Sequence, residues 1–463
     1  MRQIKAVLVV YVLLTLLTAE VTFGAQPNVV FVLTDDQRWD TVAASGNTRI
    51  RTPNLDRLCR DGASFRNAFV TLAICSPSRA ACLSGRYGSR NGVTSVGKVW
   101  LNEGEPTFAK ALSAAGYATG VTGKWHIKTT PQECGFDFVS TCWSNGTWYD
   151  RKFTIDGETK VMPGFVDDVV ADESIRFIQQ SHERSQPFVL WMCTQVPHMD
   201  HNFNWPAEQK YLDRYNADDL PLAETWQDDL SGKPDYLKTS RNRTKALEYG
   251  YDDPQSIRNH TRDYYASVEQ MDAAVGRVLD EMDRSGIAQN TWVIFMGDNG
   301  WMLGEHGMTS KVLPYEESMR VPMAIRAPLL APRVVDDLVL NIDLTATIYE
   351  IAGLPVPETL HGRSLISLVD GKTPPDWRKS FLYEAPTPQL GSKPLWAVRS
   401  NRWKYIETET GENSSEVFAE LYDMHLDPIE QTNVAAKDEH KAIVAALAKQ
   451  LRDHKRQIAT GDH

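Results

Sequence analysis

The sequence is short of positive charge, of cysteine and of long apolar runs, and each shortage excludes a class of protein. Lysine and arginine number 49 against 60 aspartates and glutamates, a net charge of −11. A surface of that sign has no broad pull on nucleic acid. An anionic ligand must then be captured by a local cluster of Lys, Arg and His. Six cysteines (Cys59, Cys75, Cys82, Cys134, Cys142 and Cys193) are too few and too scattered over 463 residues for a disulfide scaffold. No CxxC pair suggests zinc. Cys134 and Cys142 are close enough in sequence to bridge a loop. Beyond the N-terminus no segment is apolar over the roughly 20 residues that a membrane-spanning helix needs. Internal repeats are lacking too, which excludes a solenoid or propeller.

The one apolar run, 6–17, follows Arg2 and Lys5 and precedes the small residues Thr22, Gly24 and Ala25. That order reads as a signal peptide over 1–25, with an uncleaved anchor as the alternative. The mature chain is then expected to be exported: periplasmic or extracellular, or lysosomal in a eukaryote. Asn145, Asn242, Asn259 and Asn413 each open an Asn-x-Ser/Thr sequon, which matters only if the host glycosylates.

Hydrophobic residues at 42% and charged residues at 24% are ordinary for a globular chain. The length suits one large α/β domain and a smaller one, since single cores rarely exceed roughly 250–300 residues. Runs of β-formers at 29–33, 188–192 and 292–296 suit strands buried on both faces. Amphipathic patterns at 53–60, 106–115, 169–181 and 263–284 predict helices between them, the second ending at Gly116. Strands alternating with helices argue for a layered α/β domain over 26–374. Pro374-Pro375 breaks the chain, and short strand-like pieces at 381–383, 396–398, 403–407 and 420–424 follow, then a helix at 439–455. That reads as a C-terminal subdomain over 375–463, a small antiparallel sheet with one helix. Residues 199–262 are polar and weakly periodic, and read as a surface insertion of the kind that carries specificity.

Four motifs carry chemistry. Asp35-Asp36 directly follows the first apolar run, at the strand end where open α/β sheets bind ligands. Gly297-Asp298-Asn299-Gly300 follows another run and adds a carboxylate and an amide oxygen. Each alone is an ordinary turn; together they make a hard-cation donor set for Ca²⁺ or Mg²⁺. The third motif is Cys75-Ser76-Pro77-Ser78-Arg79, continuing to Leu83-Ser84-Gly85. The fourth is Gly123-Lys124-Trp125-His126, where Lys124 and His126 would point to one side of an extended segment and grip an oxyanion.

The third motif resembles the formylglycine signature of the type I sulfatases of the alkaline phosphatase superfamily, with Ser84 where Thr is more usual. The fourth resembles the family's second signature. Pro197-His198 and Lys311 match further family positions, while His201 and His306 are lower-ranked neighbours. Segments 397–405 and 421–428 resemble the family's C-terminal subdomain, so the resemblance runs from about residue 27 to 435. It implies an alkaline-phosphatase-like sandwich with a large, mixed, mostly parallel sheet flanked by helices. It implies that a formylglycine-generating enzyme oxidises Cys75 to an aldehyde (3-oxoalanine), and that Asp35, Asp36, the modified Cys75, Asp298 and Asn299 hold one cation. A hydroxyl of the aldehyde hydrate would attack sulfur, held in place by Arg79. Lys124 and Lys311 would neutralise the sulfate, and His198 would protonate the departing alcohol. His126 would deprotonate the second hydroxyl and so release sulfate.

The expected substrate is a sulfated carbohydrate, a polysaccharide or glycosaminoglycan, for which the tryptophans Trp143, Trp148, Trp205 and Trp226 offer stacking faces. The rivals are a phosphonate monoester or phosphodiester hydrolase of the same superfamily, and a non-catalytic extracellular glycan-binding protein.

Overall fold

The apolar runs form adjacent strands because each is covered on both faces. Asn28–Thr34 lies between Phe188–Cys193 and Thr291–Gly297, parallel to both, with Val29 opposite Val189 on one side and Trp292 on the other. Val29, Phe31 and Leu33 enter one apolar core, while Val30 and Val32 enter a second. A strand buried on both faces requires a continuous apolar run rather than alternation. Phe31 stacks on Trp191 of the neighbouring strand with ring centroids 5.8 Å apart, a pair contributing about 0.5–1.5 kcal/mol beyond its buried area.

The computed structural model describes residues 26–460 apart from 98, 329 and 412–415. The signal-peptide expectation over 1–25 and the sequon at Asn413 lie outside the described residues. No helix among the described residues is long and apolar enough to cross a membrane.

The main sheet has ten strands. Their spatial order is Arg333–Val335, Ala63–Phe65, Met323–Arg326, Thr291–Gly297, Asn28–Thr34, Phe188–Cys193, Ala118–Lys124, Phe138–Cys142, Tyr149–Ile155 and Glu158–Phe165. The central strands from Thr291–Gly297 to Phe138–Cys142 are all parallel, and antiparallel pairings flank them. Helices Val166–Glu183 and Pro254–Arg284 pack into the core of one face. Helices Cys75–Ser84, Phe108–Ala114 and Asp343–Ile351 pack into the other.

The expected small sheet is present as Ser380–Ala385, Leu395–Ser400, Trp403–Glu409 and Val417–Asp423, antiparallel in chain order. Helix Lys441–Thr460 buries Leu447, Leu451 and Ile458 on it. This sheet shares the core of the main sheet, with Phe69 and Phe381 centroids 5.0 Å apart. A buried ionic network also ties the small sheet to helix Glu316–Met319, which precedes the main-sheet strand Met323–Arg326. Glu316 Oε1 accepts from Arg399 Nε at 2.9 Å, and Lys404 Nζ lies 3.0 Å from Glu316 and 2.7 Å from Glu430.

Three expectations need correcting, and one element is new. The helix expected over 263–284 begins at Pro254, with Asp253 accepting from the N–H groups of Gln255 and Ser256; its polar first turns hid it from an apolar count. The edge hairpin Tyr149–Ile155 and Glu158–Phe165 was not anticipated, although Asp156-Gly157 at its tip, both at positive φ, is a two-residue hairpin signal. Cys134 and Cys142 are both free, because they enter the cores on opposite faces of the sheet. Asn242 is buried and donates its amide to the carbonyls of Thr309 and Lys311, so that sequon offers no free acceptor.

Candidate active site

The ends of the parallel strands converge on one point. Asp35 and Asp36 follow Asn28–Thr34, Asp298 and Asn299 follow Thr291–Gly297, and Lys124 closes Ala118–Lys124. This is the carboxyl edge, where open α/β sheets place their ligands. Glycine is required at 123. Its φ is +86°, and a Cβ there would lie 1.8 Å from the Cys193 carbonyl oxygen. That close approach lets the chain turn Lys124 into the site.

Cys75 is the first residue of helix Cys75–Ser84, at the positive end of the helix dipole. Its Sγ lies 3.3 Å from Asp35 Oδ1, 2.9 Å from Lys311 Nζ and 3.5 Å from Lys124 Nζ. One turn on, Arg79 is fully buried. Its Nε donates to Asp298 Oδ2 at 2.9 Å and its Nη1 to the Lys124 carbonyl at 2.7 Å. Arg79 therefore ties the Cys75 helix to two strand ends. Lys124 also pairs with Asp35, and Lys311 with Asp36.

The two histidines complete the ring. His198 Nδ1 bonds to the Met199 carbonyl at 2.7 Å, which turns Nε2 towards Asp36 Oδ2 at 3.6 Å. His126 and His198 line the same cavity of about 210 Å³ as Cys75 and Lys311. The extended-segment argument for Lys124 and His126 does not hold, because His126 has φ 57° and the strand ends at Lys124. The turn, rather than strand alternation, brings His126 to the pocket. His201 and His306 do not line it; His306 is buried against Asp228, with Nδ1 2.8 Å from its Oδ2.

Charge and burial set the protonation of the group. Burial would push the Asp35 carboxyl up, but Lys124, then His198, Arg79 and Lys311, hold it well below the carboxylate range. Burial and then the Asp35 charge push Asp298 up to about 7. Burial, then Lys124, keeps His126 well below its ordinary value, so its imidazole is neutral and able to accept a proton. Burial likewise lowers His198, against the opposing charge of Asp36. Burial and then Asp35 push the Cys75 thiol up to about 12, which leaves an unmodified thiol protonated and poorly nucleophilic.

The donors suit a hard cation. Asp35, Asp36 and Asp298 bring ligand oxygens within 4.8 Å of one another. Asp36 Oδ2 is buried without a hydrogen-bond partner, an unsatisfied acceptor of the kind a cation would engage. Asn299 reaches the same cup, donating Nδ2 to Asp36 Oδ1 at 2.7 Å with its Oδ1 3.5 Å from Lys311 Nζ.

The sulfatase family model matches residues 27–354, and a model of the C-terminal part of N-sulphoglucosamine sulphohydrolase matches 304–457. The chain belongs to the sulfatase family. It is a sulfuric ester hydrolase, like the sulfatases and arylsulfatases it resembles. An N-acetylglucosamine-6-O-sulfatase of Bacteroides thetaiotaomicron is 29% identical over 501 residues, covering 94% of this chain and 88% of its own. An ulvan-active sulfatase of Formosa agariphila is 25% identical, covering 94% and 82%. A solved structure of a protein in complex with its substrate D-glucosamine-2-N,6-O-disulfate superposes with a TM-score of 0.84, at 28% identity, over 94% of this chain and 99% of the other.

Several lining residues of this sulfatase pocket were not singled out from sequence: Trp301, Arg241, Lys245 and Tyr249. Trp301 directly follows the Gly297–Gly300 motif, and its ring centre lies 5.7 Å from Lys311 Nζ. The others belong to the weakly periodic 199–262 stretch, where no motif marks them. Of the four tryptophans expected to stack on sugars, Trp148 and Trp205 are core residues, Trp226 is half-buried against the small cluster of Ala246, Tyr251 and Ile257, and Trp143 is exposed beside His126, centroids 5.9 Å apart.

Proposed function

We propose that this sulfatase removes sulfate from a sulfated carbohydrate outside the cytoplasm, using formylglycine at position 75 and one divalent cation, Ca²⁺ or Mg²⁺. The observation that carries the reading is the position of Cys75, at the floor of a pocket with two lysine ammoniums on its sulfur and three carboxylates beside it. The sugar substrate is supported by the N-acetylglucosamine-6-O-sulfatase and by the glucosamine disulfate complex. Export rests on the basic and apolar N-terminus.

Formylglycine, hydrated by one water, would supply two hydroxyls on one carbon, and the cation, held by Asp35, Asp36, Asp298 and Asn299, would add positive charge beside them. The chain's own residues supply the rest. Lys311 and Lys124 neutralise the sulfate oxygens as charge shifts towards the leaving group. His198, whose Nδ1–H donates to the Met199 carbonyl, delivers a proton from Nε2 to the departing alcohol when the imidazole is in its charged form, which the facing Asp36 carboxylate favours. His126, neutral and with Nδ1 unpartnered, takes the proton whose removal frees the bound sulfate. Arg79 holds Cys75 in register with the carboxylates.

The test is sulfate release from a panel of sulfated monosaccharides, including N-acetylglucosamine 6-sulfate, against an aryl sulfate. Binding energy from the sugar should raise kcat/KM at least about tenfold over the aryl ester. Turnover of the aryl sulfate with none of the sugars cleaved would remove the carbohydrate assignment.

A further inference from the structure

The pocket above Cys75 carries more positive charge than a single sulfate group uses. Besides Lys311, it is lined by Arg241 and Lys245, and among the described residues that line it none is Asp or Glu. The carboxylates of Asp35 and Asp36 lie beneath, already engaged by Lys124 and Lys311. Lys245 is partly neutralised by Glu248. Arg241 is not: half-buried at the pocket wall, its guanidinium has no ion pair or hydrogen bond to any described residue.

Its placement is built rather than incidental. Arg241 is the first residue of helix Arg241–Glu248, where a cation opposes the helix dipole. The next residue, Asn242, is buried and donates to the carbonyls of Thr309 and Lys311 at 2.8 and 3.1 Å. The helix is thereby clamped to the loop that carries the sulfate-facing lysine. From the other side Gly391 approaches so closely that a Cβ there would lie 2.8 Å from Arg241 Cβ. Phe203 and Tyr249 add aromatic faces to the same wall. Neutral sugar hydroxyls are commonly held by carboxylates that accept from them; this wall offers none and presents an unpaired bidentate donor instead.

We infer that Arg241, assisted by Lys245, binds a second anionic group on the substrate, so that the preferred sugar carries a carboxylate or a second sulfate besides the ester that is cleaved. This rests on the carbohydrate reading above and narrows it. Guanidinium serves either anion, so the probes must separate them.

The test is calorimetric titration of the full chain with glucosamine N-sulfate, with glucuronic acid and with N-acetylglucosamine. At least one acidic sugar should bind tenfold or more tightly than the neutral one. The stronger of the two identifies the anion as sulfate or carboxylate. Arg241→Gln should abolish the preference, while Arg241→Lys should retain part of it. Equal affinity for all three sugars, including no measurable binding of any, overturns the inference, as does a preference that survives Arg241→Gln. Release of sulfate from an aryl sulfate by the same preparation reports separately on the sulfatase chemistry, so the two readings can fail independently.

Discussion

Cys75 and Asp36 can each be removed with little loss of volume, which makes them the most informative single positions. Cys75→Ala removes the side chain proposed to mature into the nucleophile, but no large volume. Turnover should fall by at least roughly a thousandfold, with a melting temperature within about 3 °C of wild type. Asp36→Asn keeps the shape, removes one charge from the acidic cup and leaves Lys311 without its carboxylate. Metal content by elemental analysis should fall well below that of the wild type; unchanged content would contradict the ligand assignment. The motif residues were legible because their order along the chain is distinctive: Asp35-Asp36, Cys75 to Arg79, Lys124 to His126, Asp298-Asn299. Arg241 was not legible, since a lone arginine in a polar stretch looks like any solvated charge until the fold sets it beside Lys311.

Elements were readable where apolar residues recur and unreadable where polar ends or local turn chemistry decide. The three innermost strands, Asn28–Thr34, Phe188–Cys193 and Thr291–Gly297, are continuous apolar runs and were placed to within a residue or two, whereas Ala118–Lys124 and Phe138–Cys142, broken by Gly, Ser and Thr, offered no such run. The first turns of Pro254–Arg284 are polar, and only the Asp253-Pro254 pair signals the start. Asp253 is exposed and caps two backbone N–H groups. Asp253→Ala should therefore cost about 1 kcal/mol, read as a small drop in thermal midpoint with activity retained. No shift at all would mean that water replaces the cap. The hairpin beyond Phe138–Cys142 was missed because its second strand is largely exposed and polar, so neither alternation nor a buried run stands out.

At the scale of the whole molecule, the small sheet shares an apolar core with the main one and is tied by charge to helix Glu316–Met319. Glu316 sits below its ordinary value of 4.5: burial opposes ionisation, but Arg399 and then Lys404 hold it charged. A group whose folded value is depressed stabilises the fold above its unfolded value, and that contribution is lost as pH falls through the folded one. Glu430, raised by burial against the opposing charge of Lys404, acts in the contrary sense. Glu316→Gln leaves Arg399 and Lys404 with less counter-charge and should cost about 3 kcal/mol at neutral pH. It should also flatten the loss of thermal stability below about pH 4.5. An identical acid slope in wild type and variant would show that the Glu316 network does not govern the acid sensitivity of the fold. The architecture itself followed from sequence because strand and helix patterns alternate up to Pro374-Pro375 and change character after it.

The most direct measurement is the mass of the peptide that carries position 75, taken from enzyme purified in an active state from a host with a formylglycine-generating enzyme. The expected result is the lighter aldehyde residue, in a proportion that tracks specific activity across preparations. Full activity from a preparation whose residue 75 is entirely an unmodified cysteine would contradict it.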